Sequence, residues 1–256
     1  MAISNPQTRD EERRRSTKQG SLGRELLLIV AVALVLSVLV RTFIAQAFFV
    51  PSGSMEDTLL VQDRILVSKL STELGGVHRG EIVVFTDPGG WLPAPEQPSG
   101  VSGALRDALI WVGLLPSDTG EDLVKRVIGV AGDHVVCCNT RSQIVLNDVP
   151  LVEPYVKPGS RTDQVRFDIV VPQDAVFVMG DNRADSSDSR FHLDVANGSV
   201  PTKNVVGRVV AVIWPVKRWS GEPIPPTFDN PALDVARPSP TSTASPGTRS
   251  PSPGSS

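Results

Sequence analysis

Residues 26–40 form an apolar run interrupted only by the small Ser37, and after Arg41 the apolar character resumes as far as Val50. A helix rising about 1.5 Å per residue needs roughly 20 residues to cross about 30 Å of hydrocarbon. The stretch 25–50 therefore predicts one transmembrane helix, with Arg41 near the outer face lifting its charge toward the headgroups. Upstream, Arg13, Arg14, Arg15, Lys18 and Arg24 outweigh Asp10, Glu11 and Glu12. That excess keeps residues 1–24 in the cytoplasm and sends the remainder across the membrane. A second reading takes the same segment as a secretory signal cut after Ala45-Gln46-Ala47. Phe48-Phe49-Val50 continue the apolar run beyond that point, which favours a retained anchor.

From Asp63 onward the pattern is of short strands separated by turn residues. The expected strands are 64–68, 81–85, 123–130, 134–138, 143–146, 165–171, 175–179 and 205–214. Val165, Phe167, Ile169 and Val171 alternate with Arg166, Asp168 and Val170, the period of a strand with one buried face. Asn147-Asp148 lies between two β-rich runs and suits a tight hairpin. The fold class is thus mainly β and antiparallel, with a body over 51–220. Within it, 134–171 reads as a small second lobe and 87–120 as a loop insertion whose residues 104–115 suit a short apolar-faced helix. From Gly221 the chain becomes rich in Pro, Ser and Thr, and 221–256 is expected to be disordered.

A net charge of -3 gives no electrostatic reason to expect nucleic acid as a partner. Cys137 and Cys138 are the only cysteines and are adjacent. Two neighbouring thiols do not complete a metal site; two ordinary half-buried cysteines are favoured over a strained vicinal disulfide. No cofactor and no metal is expected.

Chemistry is concentrated in three places. Pro51-Ser52-Gly53-Ser54-Met55 follows the apolar segment directly, and its glycine permits a bend that presents Ser54. A serine needs a base to become a nucleophile, but His78, His134 and His192 stand in no triad-like setting. Lysine serves if its amine is neutral, which burial favours. Lys125 sits within the apolar run 123–130, although strand alternation alone leaves open whether it faces core or solvent. The third place is 180–190, where Asp, Asn, Arg and Ser interleave. That composition suits a network of paired charges better than a calcium loop, since Arg183 and Arg190 intrude.

Together these segments resemble the conserved boxes of the bacterial type I signal peptidases. Residues 51–59 resemble the nucleophile box, and 62–69 and 79–85 the two boxes that follow. Residues 125–133 resemble the box carrying a lysine base, and 180–190 fit its terminal pattern G-D-N-R-x-x-S-x-D-S-R. The resemblance implies a membrane-bound serine endopeptidase with Ser54 as nucleophile and Lys125 as general base. It implies an oxyanion hole from the Ser52 hydroxyl and the Ser54 amide, and an orienting hydrogen bond from Ser186 to the lysine amine. Asp181 would pair with Arg126 and Asp188 with Arg190, while Met55 would line the substrate cleft. The implied partners are signal peptides of secretory preproteins, cut after A-x-A sites, and the lipid bilayer; a monomer is assumed. Asp57, Gln62 and Ala131 depart from common family residues, which bears on loop geometry alone. A self-cleaving soluble Ser–Lys protease fits the apolar anchor poorly. A non-catalytic anchored β domain would not need Ser54 and Lys125 together.

Overall fold

A computed structural model describes residues 23–37, 45–92 and 122–234. Helix α1 (23–37) exposes Leu26 to Leu36 with little cover. Among the described residues no helix is long and apolar enough to cross a membrane. The basic residues 9–18, Arg41, the helix expected at 104–115 and the tail beyond residue 234 lie outside the described residues.

One boundary is corrected. The apolar stretch does not run to Val50 as a single helix, because Ala45–Phe49 is a strand, β1, paired antiparallel with β2 (Arg64–Ser68). Phe48 and Val50 are buried with Ile65, Val67 and Val209, so core packing claims the end of the run. Ala45-Gln46-Ala47 lies inside that ladder. Helix α2 (Leu70–Gly75) follows β2.

The remaining strands are β3 (Ile82–Thr86), β4 (Asp122–Val130), β5 (His134–Cys137), β6 (Ile144–Leu146), β7 (Val149–Pro150), β8 (Phe167–Val170), β9 (Ala175–Met179), β10 (Val200–Pro201), β11 (Val205–Trp214) and β12 (Ser220–Gly221). They form two sheets. The larger runs β1-β2-β11-β3-β4-β9-β10, with β12 added to β11; the smaller runs β7-β6-β5-β8. Asn147 and Asp148 take positive φ between β6 and β7, as a tight hairpin requires.

The central strands are buried on both faces. In β3, Ile82 and Val84 join one core cluster and Val83 and Phe85 another. In β4 every position from Leu123 to Gly129 is buried, so a charged side chain there has no solvent face to turn to. β9 splits likewise: Val176 and Val178 pack toward the β3 side, while Phe177 and Met179 join the core of the smaller lobe.

Two further expectations are corrected. Cys137 and Cys138 are joined in a disulfide. β5 ends at Cys137, whose Sγ lies against the Thr162 carbonyl, and the Cys138 carbonyl accepts from Arg166. The chain has left the strand there, so the two side chains are not held on opposite faces. Residues 222–234 are also ordered: Phe228 and Leu233 enter the smaller lobe's core, and Asp234 pairs with Arg79 at 2.6 Å. Asn147 Nδ2 donates to the Leu233 carbonyl. Two buried apolar side chains and these polar ties outweigh the chain entropy of a Pro-rich segment. The tie reaches Gly80, where φ is +81° and an added Cβ would lie 2.5 Å from the Phe228 ring.

Replacing Phe228 by Ala is expected to lower unfolding free energy by about 3 kcal/mol or more, read as a reduced denaturant midpoint. An unchanged midpoint would mean that this segment is not part of the core.

Candidate active site

Ser54 sits in a single turn of 3-10 helix, Gly53–Met55, closed by the Glu56 amide donating to the Gly53 carbonyl at 3.0 Å. Asn182 holds the same turn twice. Its amide donates to the Ser54 carbonyl and its side-chain nitrogen to the Gly53 carbonyl, both at 3.0 Å. Across from it, Lys125 in β4 places Nζ 2.6 Å from Ser54 Oγ, and both residues are buried. The Ser52 hydroxyl reaches the same Oγ at 3.3 Å.

Burial is the largest influence on Lys125 and lowers its pKa to about 8 from 10.5, against the opposing pull of Asp188, Asp181 and Asp185. A lysine at that value is part neutral near neutral pH. Its lone pair can then accept the serine proton, which is what nucleophilic attack by a serine requires.

Around this pair the expected ion pairs form. Arg126 grips Asp181 through Nε and a terminal nitrogen at 2.9 and 2.7 Å, and donates to the Gly80 carbonyl. Asp188 receives Arg190 at 2.8 and 2.9 Å and the Gly180 amide at 3.0 Å. Burial alone would push the Asp188 carboxyl up, but Arg190 and the Gly180 amide hold it below its usual range. Charged groups this deep are stable only when their lone pairs and protons are all used.

One expected hydrogen bond is not formed. Ser186 does not bond the lysine amine: its hydroxyl is buried with no hydrogen-bond partner among the described residues. It lies against the Gly180 α-carbon, where an added Cβ would overlap it and come within 2.5 Å of the Ser54 carbonyl. From there it is close enough to Asp188 to favour the ionised carboxylate without a hydrogen bond of ordinary geometry. Met55 is buried at the turn of Ser54. Its side chain packs among Phe48, Leu59, Val84 and Val124, because the turn that presents Ser54 directs its neighbour inward.

Other residues of the site receive no catalytic or supporting role from the sequence. Arg183 is fully buried and pairs with Glu153, while its Nε donates to the Gly180 carbonyl. Thr58 donates to Asp181 at 2.6 Å. Arg126 also stacks 4.2 Å from the centroid of Tyr155. Thr58 and Arg183 fall within the matched boxes; Glu153 and Tyr155 do not, and only the fold brings them in.

The family model described as "Signal peptidase, peptidase S26" matches residues 23–214. The chain belongs to this signal peptidase family. Its activity class is that of a type I signal peptidase, a serine endopeptidase. Signal peptidase I of Mycobacterium tuberculosis is 36% identical over 228 residues, covering 80% of this chain and 76% of that protein. The probable signal peptidase I of Mycobacterium leprae is 35% identical, covering 77% and 78%. Signal peptidase I U of Bacillus subtilis is 30% identical, covering 74% and 86%.

A lysine with so low a pKa weakens the fold that holds it. Folded Lys125 keeps its proton only below about pH 8, whereas the unfolded lysine keeps it to 10.5. Between those values unfolding takes up a proton, so stability rises with pH, and the full deficit applies below pH 8. Lys125→Met is therefore expected to stabilise this signal peptidase by on the order of 3 kcal/mol at pH 7. The gain should shrink as pH rises from 8 toward 10.5, as denaturant unfolding at several pH values would measure.

Proposed function

We propose that Ser54 and Lys125 are the catalytic pair with which this chain removes signal peptides from secretory preproteins after A-x-A sites. The observation that carries the proposal is the 2.6 Å approach of Lys125 Nζ to Ser54 Oγ in buried surroundings. In the first step Oγ bonds to the scissile carbonyl carbon while its proton passes to neutral Lys125. The charge that develops on the carbonyl oxygen would be met by the Ser52 hydroxyl and the Ser54 amide. As the C–N bond breaks, the Lys125 ammonium returns the proton to the leaving amine, leaving an acyl-enzyme on Ser54. Water then attacks that ester, giving a proton to Lys125; the acyl C–O bond breaks as Lys125 returns that proton to Ser54 Oγ, and the signal peptide leaves as an acid that ionises to its carboxylate. Ser186 would take part only after turning its unpartnered hydroxyl toward the amine.

The same proposal places the catalytic body outside the cytoplasm, as a monomer on a single N-terminal anchor. Two features support a bilayer beside it. Leu26 to Leu36 present exposed apolar side chains on α1. Trp214, Val216 and Trp219 are exposed at the end of β11 beside Lys217 and Arg218, and such aromatics with cations favour a membrane interface.

The test is cleavage of a preprotein bearing an A-x-A site by the detergent-solubilised chain, beside Ser54→Ala and Lys125→Ala. Cutting after the second alanine is expected from the parent, with each variant slowed at least about 10³-fold. Comparable cutting by either variant would move the chemistry elsewhere. Because Lys125 must be neutral, kcat/KM should fall about tenfold per pH unit below pH 8; a profile flat from about pH 6 to 9 would contradict the lysine base.

A further inference from the structure

One short loop of the smaller lobe reaches three separate segments of the site. Glu153 takes the Arg183 guanidinium, with Oε2 3.2 Å from one terminal nitrogen. Tyr155, whose hydroxyl donates to Glu153, lies against Arg126. Lys157 donates its amide to the Asp181 carbonyl at 3.0 Å and extends its ammonium to the Glu56 carboxylate at 2.5 Å. The first two contacts lie in the interior. The Lys157–Glu56 pair is at the surface, each side chain 39% exposed.

Glu56 is the residue that closes the turn carrying Ser54. Its carboxylate lies beside Gly53, where an added Cβ would be 3.7 Å from Glu56 Cδ and 3.6 Å from Asp185 Oδ2. Two carboxylates therefore flank the glycine before Ser54, with Asp57 next in sequence. Lys157 is the cation set among them; the Glu56 hydrogen bond, with Asp185 and Asp57 nearby, holds its ammonium above the usual pKa. Without it the like charges would repel across Gly53. Asn182 fixes the turn from within through the Gly53 and Ser54 carbonyls, and Lys157 holds the Glu56 side from without.

We propose that Lys157 and Glu56 are a positioning pair for this reaction: their contact fixes the outer end of the nucleophile turn so that Ser54 Oγ stays aligned with Lys125. The proposal rests on Ser54 being the nucleophile. Exposed ion pairs contribute little to global stability, whereas small misplacements of a reacting atom are costly in rate. A positioning role thus separates from a structural one by lowering kcat while leaving unfolding unchanged.

The experiment uses the detergent-solubilised full chain and an A-x-A preprotein, comparing Lys157→Met, Glu56→Gln, the double variant, Lys157→Arg and Ser54→Ala. Each neutralising single variant is expected to lower kcat about fivefold to tenfold, with KM within about twofold and the unfolding midpoint unchanged. The double variant should fall no further than the singles, and Lys157→Arg should stay within about twofold of the parent. The pair is overturned if the singles leave kcat within about twofold, if the double equals their product, or if the loss is in KM or in the unfolding midpoint. Activity in Ser54→Ala would instead overturn the nucleophile assignment, whatever the Lys157 variants do.

Discussion

A lysine amine held out of water 2.6 Å from a serine hydroxyl sets the demands that the rest of the structure meets. Burying that amine is unfavourable while it is charged, and the same burial lowers its pKa toward the range where it can act as a base. The strand that carries it must therefore have no face toward solvent. β4 satisfies this by running between β3 and β9, with buried side chains continuous from Leu123 to Gly129. A half-exposed strand would have let Lys125 reach water and keep its proton.

Holding a neutral amine in place also requires that its surroundings be fixed by something other than its own charge. The loop 180–190 supplies this through nested pairs. Asp181 is locked by Arg126 and Thr58, Asp188 by Arg190 and the Gly180 amide, and Arg183 by Glu153 and the Gly180 carbonyl. Each guanidinium is used bidentately or donates to main-chain carbonyls, which makes such deep charges tolerable. Asn182 then carries that rigidity to the turn of Ser54. The carboxylates oppose the lowering of the lysine pKa and burial prevails, which keeps the value near 8 and not far below it.

Much of the site was legible because its residues sit in contiguous motifs. The Arg126–Asp181 and Asp188–Arg190 pairs were expected from the boxes and are present in the structure. Strands β2, β9 and β11 fall where apolar runs and turn residues placed them. What escaped was long-range. Hydrophobicity alone did not separate an apolar helix from β1, since Phe48 and Val50 are as apolar as the residues before them. The Pro/Ser composition of the tail masked Phe228 and Leu233. Glu153, Tyr155 and Lys157 belong to no motif, and only the return of the smaller lobe against the larger sheet brings them to Arg183, Arg126 and Glu56. Ser186 shows the opposite limit: the motif gives it a role, while its hydroxyl is unpartnered in the structure.

The most direct measurement is the titration of the Lys125 amine itself, by pH-dependent acylation of the Ser54→Ala chain in detergent with quantification of the Lys125-containing peptide. A short unstructured peptide with one lysine, acylated in the same reaction, serves as the reference. The account predicts half-maximal reactivity near pH 8 for Lys125 and about 10.4 for an ordinary lysine. A Lys125 midpoint that coincides with the reference would show an amine protonated throughout the physiological range, and would contradict its service as the base.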